Sequence, residues 1–275
     1  MRHSRKSWMT AFVVASFLVA EPLTAGQFED GLAAHRRGDY ATALHLWKQL
    51  AEDDHAAAQY NLAVMYAEAQ GVQRDATKAL KWYRYAAGRG HAPAQLKLAL
   101  MYDQGFGVPR HHSRAMKWYR LAAQQGDATA QVTLALIYDE GRGVPQNDWQ
   151  AVRWYELAAE QGVLAAQKNL GVMYEKGRGV PQDHVQAYKW LSLAAAAGEL
   201  AAAKDRDDIS TKMTPEQMAR AQKARRGMEA REGSGEGGKM QGIAARSLQL
   251  ASAPGDCRNH PDKLIGPGTR SCSFR

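Results

Sequence analysis

The sequence predicts an all-α protein, a right-handed α-solenoid of helix-turn-helix repeats followed by a flexible C-terminal tail. Two observations carry this prediction: a 36-residue period in five residue series, and helical spacing of the apolar residues inside each period. A third observation, 45% hydrophobic and 23% charged residues in a chain of 275, excludes a wholly disordered protein. Two cysteines are too few for a disulfide-dense miniprotein.

The five series keep the same step over four successive units. Independent series with one period indicate a repeat architecture rather than a single globular core. They are Trp82, Trp118, Trp154 and Trp190; Gly90, Gly126, Gly162 and Gly198; Val72, Val108, Val144 and Val180; Leu62, Leu98, Leu134 and Leu170; and Tyr66, Tyr102, Tyr138 and Tyr174.

Each unit is predicted to form two helices, as the unit 127–162 illustrates. Asp127 is placed to cap the first helix, and apolar residues at helical spacing then form one face. The glycines of the loop 141–145 end that helix, since glycine takes positive φ without steric cost. We expect Trp154 of the second helix to fill the space between repeats. The apolar face consists of Ala130, Leu134, Ile137 and Tyr138, and the predicted caps of the second helices are Asp75, His111, Asn147 and Asp183.

A longer motif recurs in four units. In the unit 127–162 it runs Ala-Gln-x-x-Leu-x-x-x-Tyr-x-x-Gly-x-Gly-Val from Ala130 and Ala-x-x-Trp-Tyr-x-x-Ala-Ala-x-x-Gly from Ala151. This motif resembles the Sel1-like repeat, a relative of the tetratricopeptide repeat. Two departures stand out: Ala69 replaces the first loop glycine of one unit, and Leu191 replaces the tyrosine that follows the tryptophan of another.

The period and the resemblance divide the chain into a signal peptide (residues 1–25), a repeat solenoid (27–226) and a flexible tail (227–275). Thr214 is the predicted N-cap of the closing helix, with Pro215 as its first residue. The predicted units are 27–54, 55–90, 91–126, 127–162, 163–198 and a partial unit 199–226.

The N-terminus has the features of an export signal. Basic residues precede the apolar run from Trp8 to Ala20, whose 13 residues are fewer than the roughly 20 that a bilayer requires. Cleavage is expected after Ala25 or Ala20, and no membrane span is expected after the signal is removed. The predicted location is therefore periplasmic or secreted.

The formal net charge of +8 raises the question of nucleic acid, but the charge is concentrated at the ends of the chain. Residues 27–198 hold 19 basic and 17 acidic side chains, while residues 199–275 hold 14 and 10. A basic groove along the repeats is therefore not expected, and nucleic acid is not a predicted partner.

The sequence contains no complete catalytic or ligand-binding motif, and no enzyme, metal or cofactor is predicted. The run from Gly233 to Lys239 has the spacing of a phosphate-binding loop, but Met240 stands where Ser or Thr would hold Mg²⁺. The histidines 91, 111, 112 and 184 lack metal-ligand spacing, and surface or capping roles are expected for His91 and His184. The scattered acidic residues Asp103, Asp139, Glu140 and Glu175 are expected to form a solvated edge.

The first helices of the units carry residues that vary while the repeat frame stays fixed. The family resemblance implies that first helices line the concave side, so these positions are predicted to contact a protein partner. The predicted contacts are Tyr60, Asn61, Leu96, Lys97, Val132, Thr133, Lys168 and Asn169.

The tail contains both cysteines of the chain, Cys257 and Cys272. In an exported protein they could form a disulfide, which would stabilise the closed loop by about 3 kcal/mol in the chain-entropy model. Free thiols remain the alternative.

The predicted function is a non-catalytic exported scaffold or adaptor that binds proteins in signalling regulation, envelope or polysaccharide assembly, or host interaction. One alternative is an envelope penicillin-binding or β-lactamase-like enzyme, an activity linked to cysteine-rich relatives that have a disulfide in every repeat. No repeat of this chain contains a cysteine. A second alternative is an export scaffold that contacts glycans. The sequence does not indicate an oligomeric state.

Overall fold

The computed structural model describes residues 21–233, and within them the side chains of residues 26–230. The regular structure of this range consists of twelve helices, so the predicted all-α repeat fold is confirmed. Most of the predicted export signal and both cysteines lie outside the described residues. The helices are α1 (Glu21–Arg36), α2 (Tyr40–Glu52), α3 (Ala56–Glu68), α4 (Ala76–Gly88), α5 (Ala92–Gln104), α6 (His112–Gln124), α7 (Ala128–Glu140), α8 (Asp148–Glu160), α9 (Leu164–Lys176), α10 (His184–Ala196), α11 (Leu200–Ser210) and α12 (Pro215–Gly233).

The helices belong to two compact units that divide after His111. In unit 1, helices α1 to α5 each pack against the next. In unit 2, helices α6 to α11 do the same, except that α11 and the longer α12 both pack against α10. Helix α12 runs to Gly233, past residue 227, where the sequence places the start of the tail.

Side-chain caps start most of the helices as predicted. Asp75, Asn147 and Asp183 accept hydrogen bonds from backbone N–H groups in the first turns of α4, α8 and α10, at 2.8–3.1 Å. Asp127 does the same for α7 at 2.8 Å, and the cap predicted for His111 stays a prediction. At α12, Thr214 and Gln217 exchange hydrogen bonds between side chain and backbone, which is the arrangement of a capping box.

Two loop positions per repeat fix the turn between its helices. The first ends the first helix with positive φ, and the glycines there have φ between 66° and 80°. Ala69 takes the same conformation with φ 59°, so the missing glycine does not change the turn. The second position lies against the first residue of an earlier helix: Gly71 on Tyr40, Gly107 on Ala76, Gly143 on His112 and Gly179 on Asp148.

The core is formed by first-helix leucines and by the residue that follows each repeat tryptophan. Leu62, Leu98, Leu134 and Leu170 are at most 1% exposed, and Tyr83, Tyr119, Tyr155 and Leu191 at most 4%.

The tryptophans are less buried than the sequence predicts, although Trp82 and Trp154 pack against the core. Trp82, Trp118 and Trp154 are only half-buried, and Trp190 alone of the four is buried. Each residue turns the helix by about 100°, so the position after the tryptophan lies nearer the centre of the apolar face. Lysines at the preceding position cover three of the indoles: Lys81, Lys117 and Lys189 lie 5.3, 5.7 and 3.9 Å from the ring centroids.

A buried glutamine in each repeat joins successive helices, a role that the sequence analysis did not assign. Its Nε2 donates to the carbonyl oxygen of the residue eight positions earlier, near the end of the preceding helix. This bond satisfies one of the carbonyl groups that a helix end leaves without an internal partner. The four bonds join Gln59 to Ala51, Gln95 to Ala87, Gln131 to Ala123 and Gln167 to Ala159, at 3.0–3.2 Å.

Candidate partner-binding site

Unit 1 contains a cavity of about 310 Å³ between α3, α4, α5 and the loop that follows α5. Its walls are mainly apolar, and Phe106 stands at its edge with 62% of its surface exposed. This volume lies at the small end of the range for ligand-binding cavities, about 300–1,000 Å³. The lining residues are Ala67, Glu68, Arg74, Ala76, Ala79, Tyr83, Lys97, Leu100, Met101, Gln104, Phe106 and Gly107.

The cavity arises from small and apolar residues at positions that carry charges two repeats later. Phe106, Ala67 and Ala76 of unit 1 correspond, at a distance of 72 residues, to Arg178, Asp139 and Asp148 of unit 2. There the guanidinium of Arg178 binds the carboxylates of Asp139 and Asp148 at 2.6 and 2.7 Å. An ion pair thus occupies in unit 2 the place where unit 1 presents an open apolar surface.

The charged groups at the cavity are mainly basic. Neither Arg74 nor Lys97 forms an ion pair with any described residue. Glu68 accepts a hydrogen bond from the side chain of Gln70 at 2.9 Å. An anionic group beside the cavity would meet two cations, Arg74 and Lys97, and a single carboxylate, Glu68.

An aromatic cluster supports the inner wall. The ring of Tyr60 lies 5.8 Å from that of Tyr83 and 4.8 Å from that of His91. Burial raises the pKa of the Tyr83 phenol, with smaller contributions from Tyr60 and Glu68, so this phenol stays neutral. His91 also caps α5: its Nδ1 accepts from the N–H of Ala94 at 3.3 Å, which confirms the capping role expected for it.

The eight predicted contacts have different environments. In unit 1, Lys97 lines the cavity, Tyr60 belongs to the aromatic cluster, and Asn61 and Leu96 are half-buried in α3 and α5. In unit 2, Val132 packs against the core and Lys168 is half-buried.

The other two predicted contacts make internal hydrogen bonds. Thr133 donates from its hydroxyl to the carbonyl of Thr129 at 2.7 Å, and Asn169 donates to the Tyr155 hydroxyl at 3.0 Å. The Tyr155 hydroxyl in turn lies 3.4 Å from a carboxylate oxygen of Asp139. Asn169 therefore belongs to the same polar network as Arg178.

Three of the four acidic residues expected to form a solvated edge make ion pairs, and Glu140 among them is exposed as expected. Asp139 pairs with Arg178, Glu140 with Arg142 at 2.7 Å, and Glu175 with Lys212 at 3.0 Å. The hydrogen bonds that Arg178 donates to Asp148 and Asp139 raise the pKa of its guanidinium against the opposing effect of burial, so it remains charged.

Within residues 21–233 no three His, Cys, Asp or Glu side chains are arranged to hold a metal ion. Among the helices of that same range, none has both the length and the apolar composition needed to cross a membrane.

Stacked helices of 13 residues each, from α2 to α10, define a helical-repeat protein. The Sel1 repeat model matches five consecutive segments, residues 26–55, 56–91, 92–127, 128–163 and 164–199. The chain belongs to the Sel1 repeat family, whose members mediate protein–protein interactions and are in general non-enzymatic scaffolds.

Solved structures of Sel1 repeat proteins resemble this chain. A Sel1 repeat protein from Oxalobacter formigenes is 34% identical, with a TM-score of 0.60 over 66% of this chain and 54% of its own. The protective antigen c5321 of uropathogenic Escherichia coli is 27% identical, with a TM-score of 0.47 over 90% of this chain and 58% of its own. The present chain thus spans little more than half of either protein.

The immunity protein Pa5087 of Pseudomonas aeruginosa is more distant, with 19% identity and a TM-score of 0.40 over 76% of this chain and 81% of its own. No curated protein matches the sequence significantly.

Proposed function

We propose that this protein is an exported, non-catalytic scaffold that binds a protein partner at the cavity of unit 1. An apolar side chain of the partner enters the cavity beside Phe106, and an acidic residue next to it approaches Arg74 and Lys97. The observation that carries the proposal is the combination of an open apolar cavity with two cations that have no described ion-pair partner.

The chemistry of the cavity favours such a segment. Burying an apolar side chain against Phe106, Met101 and Leu100 gains about 25 cal/mol for each Å² removed from water. The flanking acidic residue adds electrostatic attraction, which contributes more to association rate and specificity than to affinity. Because the walls are formed by packed helices, the site loses little conformational freedom when the partner binds.

Export is the second part of the proposal and rests on the basic and apolar N-terminal segment. An exported chain would meet partners in the periplasm or outside the cell. Signalling regulation, envelope or polysaccharide assembly and host interaction are the processes in which such a scaffold would act.

The binding site is tested with a photo-crosslinking amino acid at position 97 of the full chain in the source organism. A crosslinker at Lys48, which is exposed on α2 of the same unit, is the matched control. A partner captured from position 97 and not from position 48 is then purified, and its affinity is measured for the wild type, Lys97→Glu, Phe106→Asp and Lys48→Glu.

The proposal predicts an affinity at least about tenfold lower for Lys97→Glu and Phe106→Asp, and an unchanged affinity for Lys48→Glu. Identical crosslinks from the two positions, or normal affinity of both cavity variants, would contradict it.

A further inference from the structure

A second cavity, different in chemistry from the first, lies in unit 2 between α10, α11 and α12. Its volume is about 270 Å³, and every side chain that lines it is polar. The lining residues are Tyr188 and Ser192 of α10, Arg206 of α11, and Gln222, Arg225 and Arg226 of α12.

The cavity carries excess positive charge. Arg206 directs its guanidinium at Asp207 with contacts of 2.8 and 2.6 Å, and Arg225 contacts Glu229 at 3.2 Å. Neither carboxylate lines the cavity, and Arg226 forms no ion pair with any described residue. Carboxylates outside the cavity thus compensate the charges of Arg206 and Arg225, whereas no described carboxylate pairs with Arg226.

Ser192 supplies an independent sign of a missing ligand. The residue is only 4% exposed, and its Oγ has no hydrogen-bond partner among the described residues. A buried hydroxyl without a partner costs free energy that a bound acceptor would recover. Tyr188 and Gln222 add a phenol and an amide to the same walls.

We propose that this cavity binds the dianionic phosphate of a phosphomonoester. Guanidinium groups suit phosphate because their N–H groups contact two oxygens at once. Three arginines, two hydroxyls and an amide offer more donors than the two oxygens of a carboxylate accept. The phosphate oxygens take the donors of Arg226 and Ser192, and the ester carbon points to the open side.

The proposal does not depend on the partner site of unit 1, because the two cavities share no residue and lie in different units. Loss of one binding activity would leave the other intact.

The test is isothermal titration of the full chain with methyl phosphate, and with acetate as the carboxylate comparison. Arg226→Gln removes the guanidinium that pairs with no carboxylate in the described range, and we expect it to weaken methyl phosphate binding at least about tenfold. Ser192→Ala changes no charge and should weaken binding about threefold to tenfold. Lys223→Gln, on the same helix but outside the cavity, removes the same charge and should change the affinity less than about twofold.

Circular dichroism and thermal unfolding of each variant establish that the fold is kept. Vesicles of phosphatidylcholine with phosphatidic acid form a parallel arm, since a phosphomonoester can also be a lipid headgroup. If the protein binds the vesicles but not methyl phosphate, and Arg226→Gln abolishes this binding, the result supports the site with a lipid headgroup as its ligand.

Equal losses for Arg226→Gln and Lys223→Gln would overturn the proposal by indicating diffuse electrostatic attraction. Equal affinity for acetate would overturn the assignment to phosphate. The absence of binding both to methyl phosphate at millimolar concentration and to the phosphatidic acid vesicles would overturn the site itself.

Discussion

At the scale of single residues, Ala69 and His91 show how one side chain sets the stability of a turn. Ala69 ends α3 with φ 59°, where other repeats place glycine. The left-handed conformation costs a residue with a Cβ about 1–2 kcal/mol, which glycine avoids.

Ala69→Gly should therefore raise the free energy of unfolding by up to about 1 kcal/mol, the gain being reduced by the greater freedom of glycine in the unfolded chain. Urea unfolding measures the change. Ala67→Gly is the matched control: residue 67 lies inside α3, so the same substitution should destabilise the protein there. Destabilisation by both variants would contradict the strain at Ala69.

His91 couples the start of α5 to pH. Its Nδ1 accepts a hydrogen bond from Ala94, which requires this nitrogen to be unprotonated. Burial, and to a smaller degree the charge of His55, lowers the pKa of His91 below its ordinary 6.5. The unfolded chain therefore binds the proton first, and the stability that His91 contributes is complete above pH 6.5 and falls as the pH drops through the lowered pKa.

His91→Asn should flatten this dependence, because asparagine caps helices without titrating. The measurement is the free energy of unfolding at pH 7.5 and pH 5 for the variant and the wild type. His45→Asn, at an exposed position of α2, should leave the wild-type difference unchanged. A pH dependence that survives in His91→Asn would place its origin elsewhere.

At the scale of helices, Gly171 of α9 and Leu191 of α10 form a matched pair that departs from the other repeats. A Cβ at Gly171 would lie 2.6 Å from Cγ of Leu191 and 3.3 Å from the carbonyl of Ala187. One repeat earlier the corresponding residues are Ala135 and Tyr155, both fully buried. Glycine replaces alanine at position 171 where leucine replaces tyrosine at position 191, because the branched Cγ of Leu191 occupies the space that a Cβ at position 171 would need.

Gly171→Ala alone should destabilise the protein by about 1–3 kcal/mol through overpacking, despite the higher helix propensity of alanine. Adding Leu191→Tyr restores the pair of the preceding repeat, and the double mutant should be more stable than the sum of the single variants by about 1 kcal/mol. A double-mutant cycle from urea unfolding gives this coupling energy. Additive effects would show that the two positions do not share a contact.

The repeat sequence predicts the helices well because period, caps and turn glycines all point to one local structure. It could not predict which loop residues meet between repeats. Arg178 contacts Asp139 and Asp148 from 39 and 30 residues away, so the pairing depends on how repeats stack. The cavity beside Phe106 likewise depends on how repeats stack, so the sequence could not predict its lining. Of the eight predicted contacts, only Lys97 lines this cavity.

At the scale of the whole molecule, the predicted export signal, residues 1–25, overlaps helix α1 in sequence. The described part of helix α1 starts at Glu21, so cleavage after Ala20 keeps all of these residues and cleavage after Ala25 removes residues 21–25. Phe28 and Gly31, which lie against Trp47, remain in either case.

N-terminal sequencing of the protein recovered outside the cytoplasm should therefore give Gly26 or Glu21 as the first residue. Both forms should unfold at similar temperatures, because the contacts with Trp47 are the same. A protein that keeps Met1 and stays in the cytoplasm would contradict export, while the cavity of unit 1 would still be open to a partner inside the cell.

The loop glycines also determine where this chain tolerates extra residues. The loops inside the repeats leave no room, since a Cβ at Gly179 would lie 2.4 Å from the backbone of Asp148. The glycines that follow second helices differ: Gly90, Gly126 and Gly198 have nothing within 4 Å of an added Cβ. A peptide tag or a reporter domain should be accepted at these junctions and rejected at Gly179. Lineages that lengthen such proteins would be expected to use the same junctions.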